Sequence, residues 1–101
     1  IFPGGCLTSV TDMSRTMTKH TDMRVIHLED IGPHYATTLR RWHDRFFERI
    51  EEVRALGYSE AFIRMWQYYL CYCESAFLER ATGTVQMLMM RPDARRDSIR
   101  Y

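Results

Sequence analysis

From His34 to Leu56 the apolar positions Tyr35, Leu39, Trp42, Phe46, Ile50, Val53 and Leu56 recur at gaps of 4, 3, 4, 4, 3 and 3. That spacing predicts one amphipathic helix over about 34–56, with arginines and carboxylates on its other face. Arg40 with Asp44 and Glu51 with Arg54 are spaced for pairing along that face. Gly57 supplies the C-cap, and Ser59 caps a second helix predicted over about 59–80, stopped by Thr82-Gly83. The second helix differs in kind. Phe62, Trp66, Tyr69, Leu70, Cys73 and Phe77 make one face, while Ile63, Met65, Tyr68, Cys71 and Tyr72 spread apolar surface over much of the rest. Such a helix needs cover on two sides.

The segments before and after the helices read as strands. Residues 23–28 alternate in part and are rich in β-branched side chains, ending at Glu29-Asp30 before Gly32-Pro33 breaks the run. Residues 84–90 are almost wholly apolar and end at Arg91-Pro92, the pattern of a strand buried on both faces. Ahead of these, Pro3-Gly4-Gly5 is turn chemistry, and a short helix follows, capped by Ser9 or Thr11 and carrying Val10, Met13 and Met17 on one side. Two strands around a pair of long helices predict an α+β piece whose sheet is completed by other strands.

Composition narrows the function. The 101 residues carry 14 Lys plus Arg against 13 Asp plus Glu, a net charge of +1, so phosphate neutralisation drives no nucleic-acid binding. A content of 46% apolar and 27% charged residues belongs to a folded chain of one domain at most. Cys6, Cys71 and Cys73 are odd in number and form no CxxC pair, which favours a reducing compartment. His20, His27, His34 and His43 fall in no HxxxH or HExxH pattern, so no metal is expected. The longest nearly uncharged stretch, 65–76, contains Gln67 and Glu74 and is too short to span a bilayer. The opening Ile1-Phe2-Pro3-Gly4-Gly5 reads as the interior of a larger protein.

Three stretches together carry a resemblance. Ile1 to Leu7 (IFPGGCL), Gly32 to Trp42 (GPHYATTLRRW) and Phe62 to Cys73 (FIRMWQYYLCYC) with Phe77, in this order and spacing, resemble the C-terminal part of the cyclopropane-fatty-acyl-phospholipid synthases. Mycolic acid cyclopropane synthases and methyltransferases and some plant alkaloid N-methyltransferases share similar signatures. The resemblance implies a class I methyltransferase with a Rossmann-like seven-stranded sheet, this chain being an α+β fragment of that α/β fold. Residues 1–92 would be its C-terminal part. The two long helices would form a lid insertion between two adjacent antiparallel strands, and 93–101 a flexible charged tail.

The implied reaction moves a methylene carbon from S-adenosylmethionine to the cis double bond of a phospholipid acyl chain, with bicarbonate as the base. The acceptor would be met at a membrane surface, by a cytoplasmic enzyme peripheral to the inner face. Tyr35 is the residue the resemblance assigns to holding bicarbonate. Phe2, Gly4, Gly5, Trp66 and Tyr69 are its substrate-binding candidates. The glycine-rich loop and acidic ribose-binding residue of the family lie upstream, so no cofactor-binding residue is expected here.

Plainer readings stand beside these. On periodicity Tyr35 is a packing residue, His34 favours the helix start, and Glu29 and Asp30 are loop and capping residues. Trp66, Tyr68, Tyr69, Tyr72 and Phe77 divide between core and acyl tunnel. Met87, Met89 and Met90 fill a buried strand. Cys6 shows nothing that would activate it. Arg40, Arg41 and Arg45 form a solvated face or meet anionic head groups. A related methyltransferase acting on another lipid or an amine is the near alternative. A non-catalytic helical interaction module is the alternative of another class, and the uncovered apolar faces admit a homodimer.

Overall fold

The computed structural model describes residues 2–94 of the chain. Its elements run α1 (Val10–His20), β1 (Arg24–Asp30), α2 (Gly32–Glu48), α3 (Ile50–Ala55), α4 (Glu60–Leu78) and β2 (Val85–Met90). Two compact units divide the described residues, one of residues 2–29 with 86–94 and one of residues 30–85. The first holds α1 and nearly all of the sheet, and the second holds the three later helices.

In the first unit, Ser9 Oγ accepts from the Asp12 amide at 3.0 Å and starts α1, so Ser9 rather than Thr11 is the cap. Before it, the Gly5 amide donates to Phe2 O at 3.2 Å across a turn in which Gly4 takes φ +81°, a conformation that favours glycine. β1 and β2 pair as a two-stranded antiparallel sheet. The strand expected to be buried on both faces is not so covered: Gln86 and Met89 are exposed and the other four residues of β2 are half-buried. A two-stranded ribbon has too little surface to shield both faces of an apolar strand. The charged tail assigned to 93–101 lies, beyond Ala94, outside the described residues.

In the second unit, α2 packs against α4, and the fully buried apolar residues, Ala36, Leu39, Ile63 and Leu70, come from these two helices. The stripe starting at Tyr35 supplies the α2 side of this core, as the periodicity requires. The single helix expected over 34–56 is two: at Arg49 the backbone turns to φ −109°, ψ 24°, separating α2 from α3. No glycine or proline marks the break, and the apolar stripe continues across it. Gly57, at φ +94°, closes α3 with its amide bonded to Arg54 O. Ser59 Oγ accepts from the Phe62 amide at 3.1 Å and opens α4.

Of the two pairings expected on the polar faces, one forms and one does not. Arg54 does bond Glu51, at 2.6 Å, and also Glu60 at 2.7 Å, joining α3 to the first turn of α4. The hydrogen bond from Arg54 holds the Glu60 carboxyl below its ordinary pKa. Arg40 does not pair with Asp44 but points to Glu74 on α4 at 3.8 Å, while Asp44 meets His43. Glu74 is the less exposed carboxylate, at 18%, so the pair across the helices is screened less than one along a solvated face.

α4 ends at Leu78 rather than near Arg80, through a left-handed residue that carries a side chain: Arg80 has φ +57°. The Ala81 and Thr82 amides then return to Ala76 O at 2.9 and 3.3 Å. Thr82-Gly83 does not form the stop, because the reversal is complete before Gly83 is reached. An L residue in this conformation costs roughly 1 kcal/mol against glycine. Arg80→Gly is therefore expected to stabilise the chain by about that amount, read as a higher midpoint in urea.

Candidate functional site

Local chemistry fixes where Tyr35 stands. Asp30 Oδ1 accepts from the Gly32 amide at 2.8 Å, Pro33 occupies the first turn where its missing N–H is harmless, and the Tyr35 amide bonds Ile31 O at 3.0 Å. The Ile31 amide donates to Thr84 O at 3.0 Å, which ties the helix start to the chain just before β2. A Cβ on Gly32 would lie 3.0 Å from Asp30 Oδ1 and 3.7 Å from Phe77, so a side chain there would press on the carboxylate that holds the turn. Glu29 and Asp30 thus belong to β1 rather than to a loop, and Asp30, its last residue, also satisfies the first amide of α2 from one position before the N-cap, Ile31. Asp30→Ala should cost about 1 kcal/mol, and loosen the first turn that carries Tyr35, as a lower urea midpoint would report.

The Tyr35 ring rests on Phe77 with centroids 5.0 Å apart and meets Trp42 edge-on at 6.2 Å. Its exposure is 37%, so the phenol is walled by aromatics on one side and open on the other. Tyr69, from the facing helix, is close enough for Tyr35 to perturb it electrostatically. Burial, then the hydrogen-bonded Cys73 thiol, and then Tyr35 push the Tyr69 hydroxyl above its ordinary pKa of 10.0. Tyr69 is therefore a neutral hydroxyl at physiological pH. It continues an aromatic ladder along α4, with Tyr58 on Phe62 at 4.5 Å, Phe62 over Trp66 at 6.1 Å and Trp66 over Tyr69 at 5.1 Å.

An open groove of about 380 Å³ lies where α2 and α3 meet α4. Trp42, Phe46, Val53, Leu56, Trp66 and Leu70 form its floor and walls, with Arg45, Arg49 and Glu52 among its lining. Trp66 is the one residue of the sequence-derived set that lines it; Tyr35 and Tyr69 do not. Tyr35, Trp66 and Tyr69 belong to the helical unit. Phe2, Gly4 and Gly5 belong to the terminal one, where Phe2 is 65% exposed. Of the α4 aromatics, Tyr68 and Tyr72 are 68% and 62% exposed, whereas Trp66, Tyr69 and Phe77 are half-buried. Phe77, which sequence reasoning placed in the aromatic cluster of the second helix but not beside Tyr35, is the ring against which Tyr35 rests.

Fit to the implied small molecules differs. The Gly32 turn that joins strand to helix is filled by Asp30 and Phe77 and leaves no cradle for a nucleoside. That turn therefore offers S-adenosylmethionine no seat. The Tyr35 hydroxyl, on a half-open aromatic wall, suits a small anion needing one donor. Among the described residues no group of His, Cys, Asp and Glu could hold a metal, and no helix is long and apolar enough to cross a membrane.

Residues 1–87 match the protein family described as mycolic acid cyclopropane synthetase. A tuberculostearic acid methyltransferase of Mycobacterium tuberculosis is 38% identical over 91 residues, covering 90% of this chain and 21% of that protein. The cyclopropane-fatty-acyl-phospholipid synthase of Escherichia coli is 40% identical over 91 residues, 90% of this chain and 23% of its own length. A protein of the same name from Citrobacter freundii is 40% identical over 62 residues, 61% of this chain and 68% of that sequence. The chain thus spans between a fifth and a quarter of the first two relatives.

Proposed function

Because the chain belongs to the mycolic acid cyclopropane synthetase family, we propose that it is the C-terminal part of an S-adenosylmethionine-dependent methyltransferase. In this reading the enzyme converts the cis double bond of a phospholipid acyl chain to a cyclopropane. The family match over residues 1–87 carries the reading. The relatives named as phospholipid synthases, each 40% identical to this chain, support the acceptor. Residues 1–92 form the end of the methyltransferase domain, with α2, α3 and α4 as a lid inserted between β1 and β2 in chain order. Phospholipid acyl chains are reached from the cytoplasmic face of a membrane.

When bound, S-adenosylmethionine, held by the upstream part of the protein, supplies an electrophilic methyl group, and bicarbonate supplies a base. The alkene is a weak nucleophile and charge develops on carbon, so the residues here act chiefly by excluding water. Tyr35 donates its hydroxyl proton in a hydrogen bond to the small anion, and Phe77 and Trp42 fix the ring that presents it. Tyr69, neutral and hydrogen-bonded to Cys73, lines the acyl chain with Trp66 without adding charge. Phe2, Gly4 and Gly5, in the opening turn of the other unit, are further candidates for contact with substrate.

A second acceptor reading has its own support, since several relatives are named as methyltransferases rather than synthases. Trideuteromethyl-labelled cofactor separates them in the whole protein. Cyclopropanation leaves two deuterons in the product, because one is lost with ring closure, whereas methylation of an amine or other heteroatom acceptor, which loses no proton from the methyl, keeps three. Mass spectrometry is expected to find lipid with two. Product carrying three supports the methyltransferase alternative, and unlabelled product overturns both.

A further inference from the structure

We infer that Tyr69 is a second hydroxyl at the anion that Tyr35 holds, and that Cys73 positions it. The pairings between α2 and α4 carry the inference. Tyr35 rests on Phe77, Arg40 reaches Glu74, and Trp42 and Phe46 line the groove with Trp66 and Leu70, so the two helices run antiparallel. The α2 span from Tyr35 to Trp42 therefore lies along the α4 span from Phe77 back to Trp66. Tyr69, Cys73 and Phe77 share one face of that span at helical spacing, and the Phe77 contact shows that this face is turned to Tyr35. Tyr35 leans along it, since its ring meets Trp42, about two turns further on in α2, at 6.2 Å. Trp66 stacks on Tyr69 at 5.1 Å and closes the far side. Both phenols thus stand within one perimeter made by Phe77, Trp42 and Trp66.

Packing accounts for the rings but not for the hydroxyl of Tyr69. A phenylalanine would stack on Trp66 as well, whereas a half-buried hydroxyl needs a partner. The partner present is the Cys73 thiol, one turn on and itself half-buried. Sulfur is a weak acceptor, and a phenol proton offered to an oxygen anion makes the stronger bond. Burial, the Cys73 thiol and Tyr35 all favour the neutral form of Tyr69, so it meets an anion as a donor. Once its proton turns to the anion, the thiol can donate S–H to the phenol oxygen, and neither group loses its partner. Bicarbonate accepts more hydrogen bonds than the single one Tyr35 donates, and where water is excluded each unmet one costs free energy.

The inference rests on the proposed bicarbonate at Tyr35, and its test tells the two apart. Whole protein labelled with a heavy carbon isotope at the tyrosine Cζ is titrated with bicarbonate in carbonate-free buffer and followed by NMR. The Tyr35 and Tyr69 signals are assigned by their loss in Tyr35→Phe and Tyr69→Phe. Both are expected to move with one common midpoint. In turnover, Tyr69→Phe should raise the KM for bicarbonate about ten-fold with a smaller effect on kcat, because a hydrogen bond to a charged group is lost while the ring stays on Trp66. Cys73→Ala should raise that KM about three-fold, and Cys73→Ser, which keeps a donor, should restore it. A Tyr69 signal that stays while that of Tyr35 moves overturns the inference and leaves the reading of Tyr35 intact. Two unmoved signals remove both. An unchanged bicarbonate KM in Tyr69→Phe also overturns the inference, whatever that variant does to stability.

Discussion

Tyr35→Phe in the whole protein is expected to retain the fold and to lower turnover roughly 10- to 100-fold. A hydrogen bond to a charged group contributes about 1.5–3 kcal/mol, which in a barrier corresponds to that range. Folding should be spared because the ring, not the hydroxyl, makes the contacts with Phe77 at 5.0 Å and Trp42 at 6.2 Å. At 37% exposure Tyr35 is also not a buried residue. Turnover by the phenylalanine variant equal to that of the unsubstituted protein would remove Tyr35 from the site.

The largest effect on stability is expected from Leu70→Ala. Leu70 is 2% exposed and packs in the core made by α2 and α4, whose four buried residues leave little to compensate for a void. Truncating such a leucine costs about 2–5 kcal/mol, through lost transfer energy and the cavity left behind. Domains of this size hold about 5–15 kcal/mol in total, so the change consumes a large share. Urea unfolding followed through Trp42 and Trp66, which border the same groove as Leu70, measures the loss. A loss under about 1 kcal/mol would mean that this interface does not hold the helices together.

What was legible in the chain was chemistry that acts within a few residues. Ser59 and Gly57 could be placed because a hydroxyl three residues before an amide, or a glycine free to take φ +94°, decides a helix end almost alone. The stripe from Tyr35 to Leu56 carried the apolar face of α2 and α3 for the same reason. The break at Arg49 was not legible, because it changes the direction of the axis without changing the order of apolar and polar residues. Nor was the end of α4, where Arg80 takes a conformation that its side chain disfavours and Gly83 does not serve. Arg40 could reach Asp44 along its own helix or Glu74 on another, and only the packing of α2 on α4 decides between them.

At the site, periodicity placed Tyr35 in the first turn of a helix, and the resemblance gave its hydroxyl a task. Neither could show that Phe77 would be the ring beneath it, since that contact spans 42 residues of chain (77 − 35) and depends on how two helices meet. The groove was hidden for a similar reason. It exists only once α4 brings Trp66 and Leu70 opposite Trp42 and Phe46.

The central claim is that the Tyr35 hydroxyl holds a small anion where the reaction needs a base. Its most direct test is the turnover of the whole protein as bicarbonate is titrated into carbonate-free buffer, with and without Tyr35→Phe. The account predicts activity that rises with bicarbonate and saturates in the unsubstituted protein, and a variant that needs much more bicarbonate or no longer responds. Superimposable bicarbonate curves for the two proteins would contradict it.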